Sequence, residues 1–219
     1  MWCAPAPAPV VPPLARLLGI PLRLRSGRGI ALTFDDGPHL HGTPAVLEEL
    51  DRAGAKATFY LVGEQVERRP SLVAEIDAAG HEIGVHGYRH VLHLRRPPQA
   101  LRDDLDRATA VIAEAAGRSS LSYRPPYGVF SLASWRLARA RFAPLLWSHW
   151  GRDWDVRATP SSISALATRD LAAGAVVLLH DSDAYSAAGS WRQTAAALAA
   201  IVDAARATGE PFVMVSQST

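Results

Sequence analysis

Short apolar runs alternate with longer helical patterns along almost the whole chain, and that alternation limits the folds open to it. The strand candidates are residues 30–35, 57–62, 82–86, 122–124, 145–148, 175–180 and 212–215. Each is short, apolar and mostly bounded by Gly, Pro or charged residues, as strands buried on both faces are. Helical stretches fall between them, at about 43–53, 64–79, 98–116, 131–140, 161–172 and 191–207. Thr43-Pro44 reads as an N-cap followed by proline in the first turn, and Ser161 as a similar cap. Gly54, Gly80, Gly117, Gly174 and Gly209 stand where helical patterns stop, which suits left-handed C-caps. This order predicts an α/β fold with a parallel sheet wrapped by helices, either a barrel or an open doubly wound sheet. Asp35-Asp36, His86, Arg124, Asp153 and His180 all fall at or just past the C-terminal ends of strands. In a barrel those ends converge on one mouth, so their placement favours the barrel.

Composition narrows the partners. At 219 residues, 48% hydrophobic and 20% charged, the chain has the profile of a globular protein with one full-sized core. Its formal charge of +2 does not support nucleic-acid binding, and Arg16, Arg23, Arg25 and Arg28 read as a solvated basic face. Cys3, the single cysteine, excludes an intrachain disulfide. The Ala/Pro-rich start lacks the basic and continuous apolar regions of a secretory signal, which points to a cytoplasmic address. The apolar stretch 14–24 is interrupted by Arg16, Pro21 and Arg23 and cannot span a bilayer. Residues 1–28 are expected to be a lead-in, its first dozen residues extended or disordered, and 29–219 the catalytic domain. No obligate protein partner is implied.

The chemistry-bearing residues group at the strand ends. Asp35 and Asp36 close an apolar strand within Thr-Phe-Asp-Asp-Gly-Pro. Neighbouring side chains on a strand point to opposite sides, but a turn at Gly-Pro can bring both carboxylates to one pocket. One can then ligate a metal while the other accepts a proton; alternatively, the pair caps the following turn. His86 and His90 stand four apart, a spacing that on a helical turn puts both imidazoles on one face. With Asp36 they make three protein ligands, which leaves room for water and substrate as hydrolytic sites require. Two imidazoles and a carboxylate suit zinc or another first-row divalent ion. Arg124, in Arg-Pro-Pro-Tyr, can orient a carboxylate. His180, at the end of Leu-Leu-His, is placed to protonate a leaving amine or to bond backbone.

Five segments in order, residues 33–38, 86–90, 124–127, 150–154 and 178–180, resemble the motifs of the polysaccharide deacetylases of carbohydrate esterase family 4, the nodulation-type chitooligosaccharide deacetylase homology domain. The resemblance covers about residues 30–215 and implies a distorted (β/α) barrel with seven strands. It implies a divalent metal, Zn2+ foremost with Co2+, Mn2+ or Ni2+ as alternatives, held by Asp36, His86 and His90. It further implies Asp35 as general base, His180 as general acid and the Tyr127 backbone N–H as an oxyanion donor. Arg124 would hold Asp35, Asp153 would orient His180 or contact Arg124, and Trp154 and Leu178 would wall an acetyl pocket. The implied activity is removal of N-acetyl groups from an amino sugar with release of acetate. An O-acetyl ester, a small or lipid-linked sugar, and a silent carbohydrate-binding barrel are the alternatives.

Two positions depart from those motifs. Gly87 replaces a Ser/Thr whose hydroxyl would steady the histidine segment, and Trp150 replaces an Asp. Neither removes an implied ligand, acid or base. His39, His41, His81 and His93 read as solvated or surface side chains. His149 and Trp150 read as groove or packing residues. Tyr185 and Trp191 read as loop aromatics able to pack or to stack on a sugar.

Overall fold

The structure, a computed structural model, describes residues 5–218, so Cys3 lies outside the described residues. Its strands are β1 (Ile30–Asp35), β2 (Ala57–Leu61), β3 (Glu82–Val85), β4 (Ser122–Tyr123), β5 (Ala143–Pro144), β6 (His149–Trp150) and β7 (Ala175–His180). They form one parallel sheet in the order β5-β4-β3-β2-β1-β7-β6, curled into a distorted barrel whose ends are β5 and β6. The helices around it are α1 (Pro12–Leu17), α2 (Gly42–Arg52), α3 (Gly63–Arg68), α4 (Pro70–Ala78), α5 (Pro98–Ala116), α6 (Leu132–Arg141), α7 (Pro160–Ala167) and α8 (Ser190–Ala207). No helix among the described residues is long and apolar enough to cross a membrane.

Every residue of β1 and β2 is buried, as central strands covered on both faces must be. The register sets Asp35 of β1 beside His180 of β7, which places two candidate groups at the same level of the mouth.

Local signals mostly reappear, with instructive exceptions. Gly54, Gly80, Gly117 and Gly209 stand at helix ends with positive φ, between 56° and 77°, whereas Gly174 (φ 77°) lies in the turn into β7, because the helix expected over 161–172 stops at Ala167. The helix expected over 64–79 is two helices, because Pro70 lacks an N–H and biases Arg69 away from helical geometry (φ −146°). The cap before α7 is Thr159 rather than Ser161: its hydroxyl accepts from the Ser162 N–H, with Pro160 next. Thr43 does not cap α2; its hydroxyl donates to Asp181 and accepts from the His39 N–H.

Two expected strands are absent. Residues 145–148 connect β5 to β6; they make single main-chain bonds, Leu145 to Tyr123 and Ser148 to Val176, without forming a strand, and Leu145, Leu146 and Trp147 are buried. Phe212 makes an isolated bridge to Ile30, and Val215–Ser218 is a 3-10 turn. The count of seven strands survives because the chain around 145–148 supplies two short strands. The lead-in also packs: residues 12–17 are helical, and Ala8, Ala15, Ile20 and Leu24 are buried in the core. Main-chain bonds from Leu146 to Pro21 and from Leu24 to Gly174 fix this segment across the side where β5 and β6 do not pair.

Candidate active site

The backbone solves the problem of two adjacent carboxylates on one strand. Asp35 keeps the strand geometry of β1, whereas Asp36 turns to φ 79°, in the left-handed region, so both side chains reach the same mouth. Asp35 is 2% exposed and Asp36 3%. Glycine is required next: a Cβ on Gly37 would stand 2.4 Å from a carboxylate oxygen of Asp181.

His86 and His90 lie on a loop after β3, not on the helical turn their spacing suggested. Gly87 (φ 83°) bends that loop so that the imidazoles converge, their ring centres 5.3 Å apart. Asp104 of α5 holds it, accepting from the N–H groups of Tyr88 (2.8 Å) and Arg89 (3.2 Å). That carboxylate supplies a support for the loop where the Ser/Thr hydroxyl is missing.

Asp36, His86 and His90 form the metal-competent cluster found among the described residues, with ligand atoms within 4.8 Å of one another. Asp36 Oδ1 is 3.4 Å from His86 Nε2 and 3.2 Å from His90 Nε2, and it has no hydrogen-bond partner. His86 Nδ1 stands 2.8 Å from the Arg124 carbonyl, which only accepts; Nδ1 therefore carries the proton and Nε2 presents a bare lone pair. Lone pairs converging on an unpartnered carboxylate oxygen fit a cation and little else. Burial works to raise the Asp36 carboxyl, yet the imidazoles of His86, His180 and His90 outweigh it and hold it at about 2. Burial lowers His90 to about 4 against the pull of Asp36, so the ring is neutral, as a ligand must be.

Behind these groups sit two buried supports. Arg124 is 0% exposed; its Nη1 donates to Thr33 and to Asp35 Oδ1 (2.8 Å each), and its Nε and Nη2 donate to the carbonyls of Leu145 and Leu146. Asp153 bonds His180 rather than Arg124: Oδ1 meets Nδ1 at 2.9 Å, while Oδ2 accepts from the His180 N–H and the Thr194 hydroxyl. Burial opposes charge on His180, but the Asp153 charge and hydrogen bond, aided by Asp36 and Asp35, raise it to about 10. Its ring is therefore protonated at neutral pH.

A cavity of about 300 Å3 joins Asp35, Asp36, His86, His90, Tyr127 and His180, with Trp154 and Leu178 also in its wall. Eight of the ten residues singled out from sequence line it; Arg124 and Asp153 lie behind it. Tyr127 sits in a strained turn (φ 60°) with its ring 4.3 Å from His90. Five further residues line it: Trp150 and Tyr185, which the sequence offered as groove or stacking aromatics, and Gly128, Trp147 and Ser186, which it did not single out. Tyr185 stacks on His90 at 4.3 Å, its hydroxyl fixed by Glu64 and Gln65. An aromatic five residues past His180 was the available signal for Tyr185.

Several histidines differ from expectation. His81 (3% exposed) and His93 (1%) are core residues, the former accepting from the Ala57 N–H at 3.1 Å. His39 is not free in solvent: Nε2 pairs with Asp183 at 3.1 Å and Nδ1 accepts from Gly42. Trp191 packs near His39 and His41, away from the cavity lining.

The sequence profile of the family described as "Polysaccharide deacetylase" matches residues 24–141. A peptidoglycan-N-acetylglucosamine deacetylase of Bacillus cereus is 36% identical over 193 residues, covering 86% of each chain. A chitooligosaccharide deacetylase of Azorhizobium caulinodans is 31% identical over 188 residues, 82% of this chain and 89% of that one. A crystal structure of a peptidoglycan N-acetylglucosamine deacetylase with 4-naphthalen-1-yl-N-oxidanyl-benzamide superposes with a TM-score of 0.85 at 27% identity, over 93% of this chain and 95% of that one.

Proposed function

The chain belongs to the polysaccharide deacetylase family, and from that premise we propose how this cavity removes the N-acetyl group of a GlcNAc-type amino sugar and releases acetate. One observation carries the reading: three candidate ligand atoms of Asp36, His86 and His90 converge at one point, with Asp35 and His180 in the same cavity wall.

Asp36 and the Nε2 atoms of His86 and His90 would hold a divalent ion, for which this donor set favours Zn2+, with Co2+, Mn2+ or Ni2+ as alternatives. When bound, such an ion supplies Lewis acidity to the acetyl carbonyl and acidifies water. Asp35 takes the proton of the attacking water. Its Oδ1 is tied to Arg124 and its Oδ2 is 3.7 Å from His86 Nε2, so the carboxylate cannot rotate away. His180 delivers the second proton. With Nδ1 bonded to Asp153, the proton that moves is the one on Nε2, and it goes to the sugar nitrogen as the C–N bond breaks. The Tyr127 N–H is assigned to the developing oxyanion. Leu178 and Trp154 receive the acetyl methyl; Trp154 is set edge-on to His180 at 5.5 Å.

The test is acetate release by zinc-loaded protein from chitooligosaccharides and from peptidoglycan fragments. Release that Asp35→Asn abolishes is expected. Absence of release from every acetamido sugar, polymeric or small, overturns the proposal.

A further inference from the structure

We propose a second binding site beside the catalytic cavity, shaped for a sugar ring that bears a carboxylate; it rests on the amino-sugar reading and names the neighbour of the acetamido ring. A run of aromatic contacts leads there from the acid. Trp154 meets His180 at 5.5 Å, Trp150 meets Trp154 at 5.5 Å, and Trp147 meets Trp150 at 5.9 Å. Trp147 and Trp150 line the catalytic cavity on one side and a further cavity of about 580 Å3 on the other. That volume lies within the range of small-molecule sites, about 300–1,000 Å3.

The opposite wall belongs to the N-terminal segment, with Ile20, Arg16 and Arg23 in its lining. Indole rings match the C–H faces of a pyranose, and here the half-buried Trp150, backed by the buried Trp147, is shared by both cavities. The charge is one-sided. Arg16 and Arg23 line this cavity and no carboxylate does, whereas Asp35 and Asp36 line the catalytic one. The Arg16 side chain makes no hydrogen bond or ion pair with a described residue. Arg23 is anchored through Nη2 on the carbonyls of Ala172 and Ala173, which leaves its other donors for a ligand. Two guanidinium groups without a carboxylate partner, in one cavity with Trp147 and Trp150, attract an anion, and their planar forks suit a carboxylate. A glycan whose acetamido ring lies at His180 would place its neighbour along the tryptophan run, within reach of both.

The experiment compares three substrates with zinc-loaded full-length protein: chitotetraose, a GlcNAc–muramic acid tetrasaccharide with free lactyl carboxylates, and its methyl ester. The free acid should show a kcat/KM about threefold above the ester, the gain expected for an ion pair at an exposed site. Arg16→Gln should erase most of that preference and leave chitotetraose kinetics unchanged; since Arg16 supports no other residue, misfolding would not explain the result. Arg23→Lys, which keeps charge but loses the fork, should weaken the preference in part. Equal rates for acid and ester, or a preference intact in both variants, would overturn the second site. Calorimetric binding of acid and ester separates the two claims. Arg16-dependent binding of the acid without acetate from any substrate would refute the deacetylase reading and keep the site; acetate release with no difference in binding would do the reverse.

Discussion

The main-chain carbonyl of Arg124 accepts from Nδ1 of His86 at 2.8 Å, while the guanidinium of the same residue holds Asp35 at 2.8 Å. One buried residue thus aims a candidate metal ligand with its peptide and a candidate base with its side chain. The two functions are separable by mutation. Arg124→Lys keeps the carbonyl but cannot reproduce four directed donor contacts. It should lower kcat at least tenfold while zinc affinity, read by competition with a chelating dye, changes little. Arg124→Leu leaves Asp35 buried without its partner and should cost about 3–5 kcal/mol in urea unfolding.

A divalent ion that binds the native fold alone raises stability with concentration, by about 2.7 kcal/mol at a hundred times Kd. Dialysis against a chelator should therefore abolish acetate release and lower Tm, and zinc should restore both. In His90→Ala the zinc-dependent rise in Tm should vanish. A rise of unchanged size in that variant would exclude His90 as a ligand.

His180 is raised to about 10 chiefly because the buried charge and hydrogen bond of Asp153 outweigh its desolvation. A catalytic acid is active below its pKa and is lost as pH rises through it. Asp153→Asn removes the charge and keeps an acceptor, so the basic limb of the kcat profile should move to lower pH. An unmoved limb would detach His180 from that step.

His81 offers a stability signature far from the chemistry. Burial holds its ring neutral, lowered to about 4, and Nδ1 must stay bare to accept from the Ala57 N–H. The unfolded chain binds this proton near the ordinary value of about 6.5, so stability declines as pH falls from there towards 4. His81→Asn, which keeps an acceptor and does not titrate, should flatten that decline in thermal melts taken between those limits.

Gly87 carries the bend that joins the two histidines. At φ 83°, a Cβ there would also come within 3.3 Å of the Arg89 carbonyl and of Asp104. Gly87→Ala should cost about 1–2 kcal/mol, a fall in Tm of roughly 2–8 °C, and should weaken zinc binding by displacing His90. Unaltered zinc affinity would show that the loop's course does not depend on this residue.

Some of this was legible because its causes are local. The punctuating glycines, the proline turns, the fully apolar β1 and β7, and the polar residues that end strands act through a few neighbours in sequence, and the motifs from Thr33 to His180 carry the family likeness. What the linear chain determined was therefore the succession of elements and the identity of the groups at their ends. Tertiary structure alone decided the rest. β5 and β6 are two residues each and exist only through the partners beside them, so the apolar run 145–148 pointed to the wrong segment. His81 and His93 look polar in sequence and are buried in the fold, His81 against Phe59 and the Ala57 N–H of β2. Asp153 had two candidate partners, and only the approach of β7 selects His180. The N-terminal residues, unremarkable as a string of Ala and Pro, pack across the gap left by an unclosed sheet. Each of these depends on contacts between residues distant along the chain, where burial and pairing are set by the partner that arrives.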